Sequence, residues 1–236
     1  MSLPADFVKQ TYDLPKQKDY ALSDDFVVKK IYEIIKEYKI TKVVEAGIYK
    51  GRSTVELSYL VDEVIGIEIY QQWVDETERR MKENFRTNYK IYKGNSPDIL
   101  IKIIPELDLN HTIFFLDAHM SASGDGSDEN AYWPILDEIK SLPKNKGIII
   151  LHDVYVPIWG DLSLDDPKRL GYDTYVMLVW ENELHKLYKK QKFDYEYIKK
   201  DLMDWSPTHR VEYNNGDETS GDQRGVMFIY QNYLGD

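Results

Sequence analysis

The chain has 236 residues, of which 42% are hydrophobic and none is cysteine, and its formal net charge at pH 7 is −11. This length suits one substantial domain with an appendage, and the missing cysteines exclude disulfides, thiolate catalysis and zinc–thiolate sites. The acidic excess argues against a nucleic-acid partner, because such proteins present a basic face to phosphates. No apolar run approaches the roughly 18 residues of a membrane span and the N-terminus does not resemble a signal peptide, so we expect no membrane partner and a cytoplasmic location.

Strand-like and helix-like segments alternate along most of the chain, after an N-terminal arm at 1–22. The predicted strands cover 42–45, 64–68, 89–92, 112–116 and 147–151, and the predicted helices cover 26–38, 54–60, 71–85, 97–104 and 132–142. Such alternation predicts a doubly wound, mostly parallel α/β sheet. A predicted hairpin at 210–213 and 225–230 adds antiparallel strands, for seven in all. We therefore expect one domain over 23–236, with a helical lid at 158–205.

A loop with two glycines follows the first predicted strand, within residues 45–54 (EAGIYKGRST). Gly47 and Gly51 permit a tight turn and the close approach of a ligand, and Ser53 begins the next helix. Glu68 ends the second strand about 20 residues further on, where an acidic side chain can accept both ribose hydroxyls of a nucleotide. The spacing is neither G-x-G-x-x-G nor a P-loop. The alternative is that both glycines serve the turn alone.

Residues 45–54 resemble the first motif of class I methyltransferases, above all the catechol O-methyltransferase-like branch. In that branch the glycine, tyrosine and serine of the loop contact S-adenosylmethionine, an acid after the second strand binds the ribose, and a serine after the third strand lies near the adenine. The resemblance covers about 26–155 and the terminal hairpin. It implies a cofactor site made of Glu45, Gly47, Tyr49, Gly51, Ser53, Glu68, Asn95, Ser96 and Asp117.

Polar side chains also end two later strands of the predicted sheet. Asp117 follows one strand, and His152 and Asp153 follow the next. Because the carboxyl ends of parallel strands share one edge, Asp117 and Asp153 could together hold Mg²⁺ or another divalent cation with oxygen ligands. Such a cation would lower the pKa of a bound substrate hydroxyl.

The metal-dependent branch of the family has an aspartate followed by asparagine or aspartate after the fifth strand, whereas here Val154 follows Asp153. The third metal ligand is therefore His152 or a water molecule. The lysine base of the catechol-type enzymes has no counterpart, and we take His119 as the general base, with Asp117 beside it as a catalytic residue. The run Phe-Leu-Asp-Ala-His resembles methyltransferases associated with sugar and glycan modification.

These patterns predict an S-adenosylmethionine-dependent O-methyltransferase that acts on a hydroxyl of a sugar, glycan or other small molecule with divalent-metal assistance. One rival is a metal-dependent hydroxylase or an NAD-dependent oxidoreductase on the same scaffold. The other is a non-catalytic cofactor-binding module, in which Asp117 caps a turn, His119 orients a neighbour and His152 is a core histidine. The oligomeric state is left open, with a homodimer as one alternative.

Overall fold

Seven strands form one sheet in the part of the chain that the structure, a computed structural model, describes: residues 22, 25–118, 134–144, 146–152, 195–206, 209–214 and 226–230. The strands are β1 (Lys42–Ala46), β2 (Glu63–Glu68), β3 (Tyr89–Lys93), β4 (Thr112–Leu116), β5 (Ile148–His152), β6 (Arg210–Asn214) and β7 (Val226–Tyr230). The helices are α1 (Asp25–Glu37), α2 (Arg52–Leu57), α3 (Gln71–Glu83), α4 (Ser96–Ile103), α5 (Ile135–Ser141) and α6 (Tyr195–Trp205).

The strand order is β3-β2-β1-β4-β5-β7-β6. The first five strands pair in parallel, and β7 runs antiparallel to both β5 and β6. The predicted doubly wound, mostly parallel seven-stranded sheet with a C-terminal antiparallel hairpin is confirmed. The chain moves outward from β1 to β3 and then returns to the other side of β1 at β4, so the order reverses between β1 and β4. A ligand crevice in such a sheet lies at the carboxyl ends of these strands.

Alternate residues of the central strands pack into two cores, one on each face of the sheet. Val44, Phe114 and Ile149 are register partners across β1, β4 and β5, and they share a core with α4, α5 and α6. Their neighbours Phe115 and Ile150 belong to the opposite core, with α1. Because both faces are covered, β4 and β5 are apolar along nearly their whole length, as their sequence runs predict.

The two edge strands are the polar strands of this sheet. On β3, Lys90 and Lys93 are exposed, and Arg210 is exposed on β6. Lys90 also donates to Glu63 on the neighbouring strand at 2.8 Å. Charged side chains on an edge strand oppose pairing with a further strand, because each added strand would bury them.

Several predicted boundaries shift in the structure. Leu22, the last residue of the predicted arm, is buried and packs in the core around α1. Helix α2 ends at residue 57 rather than 60, because the Ser58 carbonyl accepts hydrogen bonds from the side chains of Arg86 at 2.6 Å and Asn88 at 2.8 Å. These two side chains tie the end of α2 to the turn before β3 and stop the helix there.

Two other predicted segments are described only in part. Helix α6 confirms the end of the helical region predicted within 158–205, and α5 confirms the helix predicted at 132–142, from residue 135 onward. The rest of the predicted lid, and the arm before Leu22, lie outside the described residues. Among the described helices, none has the length and apolarity needed to cross a membrane.

Truncating the buried Phe114 tests the packing of the central strands. Phe114→Ala is expected to lower the free energy of unfolding by about 3–5 kcal/mol, because the ring is fully buried between β4 and the helices. Phe85→Ala is the matched control, since that ring is 91% exposed, and it should change stability by less than about 0.5 kcal/mol. Urea unfolding of both variants measures the difference, and equal losses would contradict the described core.

Candidate functional site

Five parallel strands end at the same edge of the sheet, and the polar residues predicted for the site follow their ends. The glycine loop follows β1, Glu68 ends β2, residues 94–96 follow β3, Asp117 follows β4 and His152 ends β5. The sheet order therefore sets them out along the edge as residues 94–96, then Glu68, the glycine loop, Asp117 and His152. The sequence prediction that these elements share one edge is borne out by the topology.

Both glycines of the loop have left-handed backbones, and both lie against other parts of the protein. Gly47 has φ +82°, and a Cβ at this position would lie 2.5 Å from the Asp117 carbonyl oxygen. Gly51 has φ +72°, and a Cβ there would lie 2.5 Å from Thr77 Cγ2 on α3. The space gained by omitting a side chain is thus taken up by β4 and α3. Gly47 lets the end of β4 pack directly on the loop, which brings Asp117 to the crevice.

Glu45 lies fully buried on β1 beneath the glycine loop. Its carboxylate accepts hydrogen bonds from the hydroxyls of Ser53 and Thr54 at the start of α2, the latter at 2.7 Å. Burial raises the pKa of Glu45 to about 8, against the opposing effect of the two hydroxyl hydrogen bonds, and the nearby Asp117 raises it further. Ser53, which the resemblance assigns to the cofactor, is therefore hydrogen-bonded to a buried acid of β1.

Tyr49 is held at three points in the loop after β1. Its φ of +46° is in the left-handed region, where few residues other than glycine are found. The Tyr49 amide donates to Glu68 Oε2 at 2.9 Å, and its carbonyl accepts from Thr77 Oγ1 at 3.3 Å. Its ring packs on Trp73, with 4.6 Å between ring centroids. These contacts fix the loop to β2 and α3.

Trp73 was not among the residues singled out in the sequence. It lies in the first turn of α3, five positions after Glu68, and its indole Nε1 is buried with no hydrogen-bond partner among the described residues. The Lys50 ammonium lies 4.9 Å from the centre of the Tyr49 ring and 6.0 Å from that of Trp73. An aromatic residue in the helix that follows the ribose-type acid is the sequence signal that could have marked it.

Glu68 is buried at the tip of β2, with a relative exposure of 6%. One carboxylate oxygen accepts from the Tyr49 amide, and the other accepts from the Tyr70 amide at 2.9 Å. Burial raises the pKa of Glu68 above its usual value, while the backbone hydrogen bonds lower it. A carboxylate has about four acceptor positions, and with the Ile69 amide as a third backbone donor Glu68 keeps capacity for a further donor such as a ribose hydroxyl.

The turn after β3 joins the site to both β2 and α5. The Gly94 amide donates to the Glu68 carbonyl at 2.8 Å, and Asn95 is the N-cap residue of α4. Ser96 is buried, and its hydroxyl donates to Glu138 of α5, which is also buried. Glu138 is a second residue that the sequence reasoning missed. Its signal was a glutamate within the apolar stripe of a helix.

Asp117 and His152 meet at the tips of β4 and β5. His152 Nδ1 lies 3.1 Å from Asp117 Oδ1, and the side chains are 5% and 15% exposed. The Asp117 amide continues the sheet by donating to the Ala46 carbonyl at 3.0 Å. Since a carboxylate only accepts, the imidazole faces Asp117 with a protonated Nδ1. The structure thus brings these two predicted residues together by a hydrogen bond.

The remaining predicted residues of the chemical end, His119 and Asp153, lie outside the described residues. Within the described ranges, no group of three or more histidine, aspartate or glutamate side chains has the geometry to hold a metal ion. Asp117 is a suitable oxygen ligand for a hard cation, and the metal site remains a prediction that depends on Asp153.

No protein-family model and no curated protein sequence matches the chain, whereas solved structures do. A provisionally assigned caffeoyl-CoA O-methyltransferase from Staphylococcus aureus matches with a TM-score of 0.54 and 14% identity, over 96% of this chain and 90% of that one. An O-methyltransferase from Bacillus cereus in complex with SAH matches with a TM-score of 0.53 and 17% identity, over 95% and 87% of the two chains. A provisionally assigned rRNA methylase from Clostridium thermocellum matches with a TM-score of 0.54 and 15% identity, over 87% and 97%.

These likenesses establish the fold. The chain has the Rossmann-like α/β fold of the methyltransferases. In each comparison the alignment covers most of this chain and most of the other chain. The expectation of that fold, drawn from residues 45–54 and the alternation of elements, is confirmed.

The raised pKa of Glu45 predicts how stability changes with pH. In the folded chain the carboxyl group holds its proton up to about pH 8, whereas its ordinary pKa is 4.5, so unfolding releases a proton between these values. The stabilisation by the neutral acid is complete below pH 4.5 and is lost as the pH rises to 8. Glu45→Gln removes this titration. Between pH 5 and pH 8 the wild type should lose about 2–4 kcal/mol more stability than the variant.

Urea unfolding at pH 5 and pH 8 measures this difference. Glu76→Gln serves as the control, because hydrogen bonds from Arg79 and Arg80 lower the pKa of the half-buried Glu76 to about 2, and it does not titrate in this range. Identical pH dependence for wild type and Glu45→Gln would show that Glu45 is ionised in the folded chain.

Proposed function

We propose that this chain is an S-adenosylmethionine-dependent O-methyltransferase that acts on a hydroxyl of a sugar, glycan or other small molecule. The observation that carries the proposal is the arrangement of Tyr49, Glu68 and Asp117 along the carboxyl edge of a methyltransferase-type sheet. Glu68 is the ribose-type acid beside the glycine loop, and Asp117 lies at the adjoining strand tip. The methyltransferases of the same fold, one of them in complex with SAH, support this cofactor.

The cofactor supplies a methyl group on a positively charged sulfonium. In the proposed site, Glu68 accepts a ribose hydroxyl with its remaining acceptor capacity, while Tyr49 and Gly47 line the turn beside it. Asp117 holds the acceptor oxygen near the crevice, and His119 removes its proton as the oxygen takes the methyl group. The products are then a methyl ether, SAH and a proton on the base. Holding the two reacting atoms in line supplies much of the rate.

A divalent cation belongs to the proposal as the partner of Asp117 and Asp153. Bound there, it would lower the pKa of the acceptor hydroxyl. The support is chemical: Asp117 offers carboxylate oxygen at the tip of β4, and Asp153 directly follows His152, whose ring reaches Asp117. Activity that survives EDTA unchanged would remove the cation from the proposal and leave the methyl transfer in place.

An RNA acceptor is the competing substrate, since one protein of the same fold bears the name of an rRNA methylase. The net charge of −11 opposes it, because binding a polyanion requires a basic surface that exchanges counterions. Small neutral acceptors carry no such requirement. A screen of sugar, phenol and RNA acceptors for SAH formation separates these classes, and turnover on RNA alone would overturn the proposed acceptor.

Glu68→Ala tests the cofactor site. The variant should weaken SAH binding by about 1–3 kcal/mol, or roughly 5- to 150-fold in Kd, because a charge-assisted acceptor for the ribose is lost. Glu83→Ala on the exposed face of α3 is the control and should bind as the wild type does. Calorimetry measures both. Binding of NADH in place of SAH by the wild type would reject the methyltransferase assignment.

Asp117→Ala tests the chemical end. Turnover should be abolished while the Kd for SAH stays within about threefold, since Asp117 acts on the acceptor. The control is Asp108→Ala, an exposed aspartate before the opposite end of β4, which should retain activity. Normal turnover in Asp117→Ala would show that the reaction takes place elsewhere.

A further inference from the structure

The hydroxyl of Ser96 and the carboxylate of Glu138 form a buried polar pair between α4 and α5. Ser96 is 5% exposed and Glu138 is 1% exposed, and the serine hydroxyl donates to Glu138 Oε1. Burying a carboxylate is costly unless donors surround it. Its neighbours Ile135, Ile139 and Leu142 in the same stripe of the helix are apolar core residues, so Glu138 is an acid on an otherwise apolar face.

The position of this pair along the sheet edge points to the nucleobase. The edge runs from the β3 turn, where Ser96 lies, to Glu68 on β2 and then to the glycine loop on β1. If Glu68 holds the ribose and the sulfonium lies at the glycine loop, the base attached to the ribose extends toward the β3 turn. The Gly94 amide joins this turn directly to the backbone carbonyl of Glu68 at 2.8 Å, so the turn that carries Ser96 adjoins the end of β2 where Glu68 lies.

The number of protons on the Ser96 hydroxyl limits which ligand group it can contact. A hydroxyl has one proton to donate and two lone pairs to accept with. When the Ser96 proton goes to Glu138, Ser96 Oγ can only accept from a ligand. It then favours a purine that presents an amino group, such as adenine, and disfavours one that presents a carbonyl oxygen, because two acceptors facing each other leave a buried polar group without a partner.

We propose that Glu138 is a positioning residue that sets the nucleobase specificity of the cofactor site, by directing the Ser96 hydroxyl so that its oxygen accepts from the 6-amino group of adenine. This inference rests on the proposed function, since it takes the ligand to be an adenosyl compound. Glu138 acts through Ser96 and has no direct part in methyl transfer.

Two ligands that differ at this edge of the purine test the inference. SAH carries the 6-amino group, and S-inosylhomocysteine carries a 6-carbonyl group together with a proton on N1. Calorimetry on the full chain gives Kd for each ligand with wild type, Glu138→Gln, Ser96→Ala and the control Glu63→Gln. Glu63 is a half-buried acid bonded to Lys42 and Lys90 at the opposite end of the strands. The glutamine amide of Glu138→Gln can accept from Ser96 or donate to it, so it no longer directs the hydroxyl.

The wild type should bind SAH at least about tenfold more tightly than the inosyl compound, the ratio that one such hydrogen bond supports. Glu138→Gln and Ser96→Ala should both reduce that ratio to about threefold or less, while Glu63→Gln retains the wild-type ratio. If the Ser96–Glu138 hydrogen bond only stabilises the fold, Glu138→Gln should weaken the binding of both ligands equally and leave the ratio of their Kd values unchanged. That result would overturn the inference.

The other outcomes also decide between the two proposals. Preference of the wild type for the inosyl compound would mean that Ser96 donates to the ligand, and it would overturn the role given to Glu138. Binding of SAH with an unchanged ratio in both variants rejects this inference alone. Failure of the wild type to bind either compound rejects the proposed function together with it. Should Glu138→Gln not fold, Ser96→Ala still tests the acceptor role, because it removes only a hydroxyl.

Discussion

The hydrogen bond from the Tyr49 amide to Glu68 joins the loop after β1 to the tip of β2, and the geometry of the whole edge depends on it. Tyr49 takes a left-handed backbone that is unfavourable for a tyrosine, so it needs contacts that compensate. The Thr77 hydroxyl and the Trp73 ring supply the others, both from α3. The loop is therefore set in place by β2 and α3 before any ligand binds, and binding does not have to order it.

Buried acids are the second feature of this edge, and each has its own local donors. Glu45 is bonded by hydroxyls, Glu68 by backbone amides, Glu138 by a hydroxyl and Asp117 by an imidazole. Burial of several acids near one crevice is costly, as the raised pKa values of Glu45 and Glu68 indicate. A carboxyl group that keeps its proton carries no charge, so at neutral pH Glu45 serves this edge as a neutral hydrogen-bonding group.

The sequence predicts well the features that follow from the order of strands and helices along the chain. The apolar runs of β4 and β5 mark strands covered on both faces, and Glu68 is found from its position at a strand end. It predicts poorly the contacts that the loop geometry creates. Glu45 meets the hydroxyls of Ser53 and Thr54 only because the chain reverses at Gly47 and Gly51, and no local pattern shows which way those hydroxyls turn.

The sequence also did not predict the hydrogen-bonded pairs that join different helices and strands. Pairing of Ser96 with Glu138 joins residues 42 positions apart, and pairing of Asp117 with His152 joins residues 35 positions apart. Both pairs depend on which helices and strands become neighbours. An acid inside the apolar stripe of α5 was the one visible sign, because burying a charge there requires a partner. His152, predicted as a metal ligand or a core histidine, is buried and hydrogen-bonded to Asp117, and its role as a metal ligand stays a prediction.

The two ends of the site differ in how far the fold determines them. The residues proposed for the cofactor lie within a few positions of the strand tips, so the order of the strands in the sheet sets where they stand. The acceptor end depends on the segments that leave the tips of β4 and β5, and proteins of this fold bear names that include both small-molecule and rRNA acceptors. Fold alone does not choose between those acceptors. Because a polyanion must displace its counterions onto basic side chains, the net charge of −11 is what supports the proposed small-molecule acceptor over RNA.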